Sequence, residues 1–276
     1  MTDAHVHPAD LVRVFPEAET ERRALNIACA ASAWSAAECG RNEALAGAAA
    51  AGGAAPVFCC CAIHPQLPLA LKTGSAPLPG SFSFSIEAEL EALERKAAEG
   101  RLAAIGETGF DFYDAAYRET GAEQEKLFAA QLEIAARYGL PLVLHVRRAI
   151  HAVFAGTARL KKIPAVVFHS WPGTSDEGFS LLRRGVNAFF SFGTALLLNH
   201  RKALRSCALF PADRLLVETD APYQSPRFRD YSSYRDGKAV LRAMAGLRAA
   251  GAHNANDEAE LETIVDGNFY RVFAGR

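Results

Sequence analysis

The chain has 276 residues, half of them hydrophobic and 22% charged, with a formal net charge of −1. That much apolar material supports the core of one large α/β domain or two modest ones. The near-neutral balance excludes the overall basic signature that drives nucleic-acid binding, leaving room only for a local basic rim.

The start is polar, with no charged segment ahead of an apolar run, which predicts no secretory leader. The alanine-rich stretch 44–55 is too short and too glycine-broken to span a membrane. Eight short apolar runs then follow: 2–6, 24–32, 55–63, 102–107, 141–146, 164–170, 186–192 and 214–219. Between them lie helical patterns. "EAELEALERKAAEG" and "AEQEKLFAAQLEIAARYG" both end in a glycine suited to stopping a helix. In the second, Leu127, Gln131, Ile134 and Ala135 keep helical spacing, and Phe128 and Leu132 widen the apolar face. Near-continuous apolar strands alternating with helices predict a parallel sheet covered on both sides. Eight of them predict an α/β fold of the (β/α)8, or TIM, barrel type, a single domain over residues 1–276. An open doubly wound sheet is the competing architecture, and no G-x-G-x-x-G follows any strand to favour it. The stretch 71–83 is expected to be a loop inside the domain. Cys29, Cys39, Cys59, Cys60, Cys61 and Cys207 include no C-x-x-C pair. Three are consecutive in an apolar run, which suits small core residues in a reduced, cytoplasmic compartment.

The chemistry lies at the strand ends. "DAHVHP" places Asp3, His5 and His7 on one face of the first strand. His64 follows the third run, Glu107 ends the fourth, His145 lies in the fifth and His169 in the sixth, and Asp220 follows the eighth. His151, His200 and His253 fall in helical segments instead. Singly, each of the first group has an ordinary reading: His145 as a core histidine, Glu107 as an arginine's partner, Asp220 as a turn residue. In a barrel, however, the strand ends converge on one mouth. Two carboxylates and four imidazoles there cannot satisfy one another, and each unpaired charge drawn from water costs several kcal/mol. One or two divalent cations resolve that crowding.

The chain resembles the TatD-type metal-dependent hydrolases of the amidohydrolase-like superfamily. "DAHVHP" resembles their D-x-H-x-H opening, "AIHPQ" their G-x-H-P and "IGETGFDFY" their G-E-x-G-L-D. "LHVRRA" is similar to H-x-R-x-A, "FHSWPG" to H-x-F-x-G, "ETDAPY" to E-T-D-x-P and "NFYRVF" to N-x-x-R-x-F. The resemblance implies that His5, His7 and Asp220 hold one cation, His145 and His169 a second, and that Glu107 bridges them. His64, Arg147 and Tyr223 would meet substrate. The ions would be Mg2+ or Mn2+, with Zn2+ equally acceptable to histidine-rich ligation. It also implies a deoxyribonuclease acting on single strands or DNA ends, with Asp220 taking the water's proton and no obligate protein partner. The same centre would serve a hydrolase of an ester, lactone, amide or aminoacyl-tRNA ester, and a non-catalytic interaction barrel ranks last. A basic cluster of Arg147, Arg148, Arg227 and Arg229 at the mouth would favour DNA. Phe110, Phe112, Tyr113 and Trp171 are expected in loops after the ligand strands, either stacking on bases or covering the mouth. Ala62, Phe110 and Trp171 depart from the family pattern, and the first strand is short.

Overall fold

The computed structural model describes residues 1–75, 85–250 and 257–275. Eight strands form one parallel sheet in chain order: β1 (Thr2–Val6), β2 (Ala28–Ala33), β3 (Val57–Cys61), β4 (Ala104–Asp111), β5 (Leu142–Arg147), β6 (Val166–Phe168), β7 (Ala188–Phe192) and β8 (Leu215–Val217). Helices alternate with them: α1 (Pro8–Val14), α2 (Ala18–Ala24), α3 (Ala36–Ala51), α4 (Leu67–Thr73), α5 (Ile86–Ala98), α6 (Ala115–Glu119), α7 (Gly121–Tyr138), α8 (Ile150–Ala155), α9 (Thr157–Leu160), α10 (Ser175–Arg183), α11 (Arg201–Leu209), α12 (Asp236–Ala250) and α13 (Glu258–Phe273). This is the (β/α)8 barrel, and the open-sheet alternative falls. Among the described residues no helix is long and apolar enough to cross a membrane. All six cysteines are buried and free.

The barrel closes through the segments beyond β8 rather than through a regular ladder. The Asp220 amide donates to the His5 carbonyl at 2.9 Å, and the His7 amide to the Ala221 carbonyl at 2.8 Å. Asp3 staples the same seam, accepting from the Thr219 amide at 3.0 Å and its hydroxyl at 2.6 Å. Below the mouth, Val143, Val167, Phe189 and Leu216 belong to one buried cluster. Three of them lie two residues before His145, His169 and Glu218, so strand alternation stacks the apolar layer directly under the polar one. The α7 helix presents the expected face, and buried Gln131 ties β4 to the segment after β3: it accepts from the Ile63 amide at 2.7 Å and donates to Thr108 Oγ1 at 2.8 Å. Gly139 stops α7 with φ 63°.

Several boundaries differ from expectation. The run 24–32 begins too early, because α2 continues to Ala24 and the strand starts at Ala28. More consequentially, β4 does not end at Glu107 but continues to Asp111. Its register against β5 shifts between Gly106 and Thr108, so Glu107 occupies a bulge in mid-strand. Gly109 (φ 136°) makes the extension possible, since a Cβ there would lie 2.2 Å from the His145 carbonyl oxygen. His200 caps α11 rather than lying within it, whereas His151 is helical as expected. His253 and most of the 71–83 loop lie outside the described residues.

Candidate metal centre

Glu107 is the hub of the barrel mouth. Its Oε2 lies 3.3 Å from His5 Nε2 and 3.7 Å from His7 Nε2. The other oxygen lies 2.5 Å from His145 Nδ1, 3.5 Å from His64 Nε2 and 3.6 Å from His169 Nε2. Asp220 faces the same space, 3.4 Å from His7, 3.6 Å from His5 and 3.8 Å from His169. Its backbone is left-handed (φ 55°), and Gln224 donates to its Oδ2 at 2.7 Å, fixing the carboxylate. All six residues expected to be ligands therefore meet, and His64 joins them at comparable distances.

Within the cluster the rings lie at different separations. His5 and His169 lie with centroids 3.8 Å apart and planes tilted by 30°, whereas His145 and His169 are 6.4 Å apart. Three overlapping donor sets result: His5, His169 and Asp220; His5, His7 and Glu107; His64, Glu107 and His145. Imidazole nitrogens and carboxylate oxygens in such sets match a divalent cation, so the residues present fit a metal.

Four of the five rings have their remaining nitrogen held from behind, the arrangement that fixes tautomer and orientation in metal sites. Ser32 Oγ lies 3.3 Å from His5 Nδ1, and the Gln66 amide donates to His64 Nδ1 at 3.2 Å. Asp111 Oδ2 lies 3.1 Å from His145 Nε2, and Glu218 Oε2 lies 3.0 Å from His169 Nδ1. Asp111 and Glu218 are fully buried and carried no role in the sequence reading. Glu218 also accepts from the Ser170 amide at 2.9 Å and from the Ser191 hydroxyl. We expect Glu218→Gln to weaken metal affinity by about 10–100-fold with the far-ultraviolet circular dichroism unchanged. A competition titration against a chromophoric chelator measures this, and wild-type affinity would show that Glu218 does not support the centre.

The electrostatics are set by crowding. Burial alone would push Glu107 up, but His64, His169, His5 and His145 hold its carboxyl well below the usual range. Burial opposes charge on His145 and His169 too, yet Glu107 and Asp111 lift His145 to about 9, and Glu218 and Asp220 lift His169 to about 10. Burial and neighbouring imidazoles push His5 and His64 down.

These groups form the floor of a cavity of about 1390 Å3, also lined by Arg147, Tyr223, Arg13 and Arg41. The Tyr223 hydroxyl donates to Asp10 at 2.9 Å, and its ring edge meets His7. The four-arginine cluster that would have favoured DNA is not assembled there: of the four, only Arg147 lines the cavity. Arg229 is tied to Asp236 at 2.5 Å and lines a separate, smaller recess. The aromatics also divide. Trp171 is buried against Phe168, Phe190 and Phe210, and its indole donates to Ser206 at 3.2 Å. Phe110 lies within β4 and packs on Phe128. Neither can meet a base, because each fills core volume between strand and helix. Tyr113 alone of the four is exposed. Ala62 is buried and lies off the cavity.

A parallel eight-stranded barrel with a histidine–carboxylate cluster at its mouth is the architecture of a metal-dependent hydrolase. A family model described as "TatD related DNase" matches residues 2–274, and the chain belongs to that family. It is 36% identical over 202 residues to a protein of Musicola paradisiaca named 3'-5' ssDNA/RNA exonuclease TatD, covering 71% of this chain and 74% of that one. A protein of the same name from Dickeya dadantii is 37% identical over 220 residues, covering 77% and 80%. Among solved structures, the TatD homologue YJJV of Escherichia coli K12 shares the fold with a TM-score of 0.76 at 23% identity, covering 99% of this chain and 98% of that one. A hydrolase of the TatD family from Entamoeba histolytica superposes with a TM-score of 0.74 at 14% identity, covering 99% and 97%.

Proposed function

We propose that residues 1–276 act as one metal-dependent nuclease that trims single-stranded nucleic acid from its ends in the cytoplasm. The carrying observation is Glu107, one carboxylate among five imidazoles at the floor of an open cavity. The names of the two relatives support a nucleic-acid substrate, and the six free cysteines favour a reduced compartment. His5, His7, His145, His169 and Asp220 would hold two divalent cations, Mg2+, Mn2+ or Zn2+, with Glu107 shared between them and His64 at the outer edge. Cations held there supply Lewis acidity toward water and a phosphoryl oxygen. Asp220, kept ionised by His169 and the hydrogen bond from His7, takes the proton lost by the attacking water. Arg147 presents a bidentate fork to the scissile phosphate, and His64 stands beside it. Tyr223, anchored on Asp10, walls the side nearest His7. An uncompensated guanidinium at the mouth favours a phosphodiester over a neutral ester or amide.

Purified protein incubated with end-labelled single-stranded DNA and Mg2+ or Mn2+ should give progressive shortening that a chelator abolishes. Intact DNA in every metal condition, from folded and metal-loaded protein, would overturn the reading. Metal uptake should also release protons. His145 and His169 carry protons up to about pH 9 and about pH 10 before ligation, and only neutral imidazole binds metal. Affinity therefore climbs as pH rises through about 9 toward about 10. Calorimetry in buffers of different ionisation enthalpy reads the release as a slope, and a flat line would contradict it.

A further inference from the structure

Two consecutive arginines converge on one tyrosine at the rim. In extended backbone, neighbouring side chains point to opposite faces. Arg147 ends β5, and Arg148 is left-handed at φ 55°, so the alternation stops between them. Both guanidinium groups consequently lie over the Tyr113 ring, Arg147 at 3.7 Å and Arg148 at 4.8 Å from its centroid. The ring is itself fixed. The Tyr113 amide donates to Asp111 Oδ1 at 2.9 Å, and its carbonyl accepts from Arg148 at 2.7 Å. Asp111 is in turn locked by Gln66 at 2.7 Å and touches His145 at 3.1 Å. Among the described residues no carboxylate forms an ion pair with either arginine.

Two like charges held on one ring, without a counter-ion, are an arrangement that an anion stabilises. Their surroundings differ, because Arg147 lines the cavity and Arg148 does not. We propose that Tyr113, Arg147 and Arg148 form a phosphate platform that grips two neighbouring phosphates of a single strand, Arg147 the one inside the cavity and Arg148 the next one out. Tyr113 is the positioning residue: stacking occupies a guanidinium face and leaves the donor edge for the anion. Its link through Asp111 to His145 sets the platform in register with the floor of the cavity. The proposal rests on the nuclease reading for its substrate, and the recognised chemistry is a chain of phosphodiesters rather than a base.

The test uses metal-loaded protein and two probes. One is fluorescein-labelled decathymidylate, followed by anisotropy across a salt series and by cleavage. The other is bis(p-nitrophenyl) phosphate, a diester with no neighbouring phosphate. Arg148→Ala should weaken oligonucleotide binding at least fivefold, lower the salt slope by about 0.7, and leave KM and kcat for the small diester within twofold. Arg147→Ala should affect both probes. Tyr113→Ala should reproduce the Arg147→Ala/Arg148→Ala double variant, with little further loss when all three are combined, and Tyr113→Phe should restore wild-type behaviour. An unchanged salt slope in Arg148→Ala, or strictly additive losses for Tyr113→Ala and the arginines, overturns the platform. Decathymidylate that binds with the expected slope but is never cleaved upholds the platform and overturns the nuclease reading alone.

Discussion

Glu107→Gln should abolish hydrolysis, by at least about a thousandfold, or ~4 kcal/mol of transition-state stabilisation, while the barrel stays folded. The substitution keeps the shape of the side chain and removes the one charge that faces five imidazoles. Elemental analysis of the purified variant should find it depleted of metal, because an amide offers a neutral oxygen where a carboxylate ligand is needed. Circular dichroism separates this from unfolding. A variant with full metal content and wild-type turnover would remove Glu107 from the centre and shift the bridging role to Asp220.

Gly109→Ala should be the most damaging added methyl among the glycines described, because it meets backbone in a conformation that side chains rarely adopt. The added Cβ would lie 2.2 Å from the carbonyl oxygen of His145, which is backbone and cannot rotate away, and φ is 136°. Overpacking costs about 1–3 kcal/mol and a residue forced into such a conformation about 1–3 more. A loss of about 4 kcal/mol would lower the melting temperature by on the order of 10 °C in a chain of this size. Gly139→Ala is the control: its φ is also positive, 63°, but nothing lies within 4 Å of the added atom. It should cost only about 1–2 kcal/mol. Equal melting temperatures for the two variants would show that β4 and β5 can part without penalty. Activity should fall further than stability in Gly109→Ala, because the displaced strand carries His145.

The order of strands and the convergence of the candidate ligands were legible because each depends on short-range pattern: apolar runs, helix stops and histidines at run ends. Glu107, His5, His7, His145, His169 and Asp220 all meet as the motifs imply. What was missed lies one layer back and depends on geometry that spacing does not encode. Asp111 was hidden because β4 seemed to end at Glu107, and only a bulge with glycines on both sides lets the strand run on. Glu218 sits two residues before Asp220, as Asp3 sits two before His5, so the same alternation argument would have found it. Trp171 read as a mouth residue because it follows a ligand strand, but the turn after His169 sends its ring back into the core. Arg229 read as basic rim, yet Asp236 in the next helix neutralises it, a pairing set by how the chain folds back after β8.

The seam between the ends of the barrel has a consequence for biosynthesis. Asp220, whose amide seals against the His5 carbonyl, is made more than two hundred residues after His5. Until then the first strand has no edge to close upon, and the centre lacks one of its carboxylates. A chain short of Asp220 carries the histidines without the seam that brings the two ends of the barrel together. Closing the barrel and completing the cluster at its mouth therefore coincide, because one residue serves both.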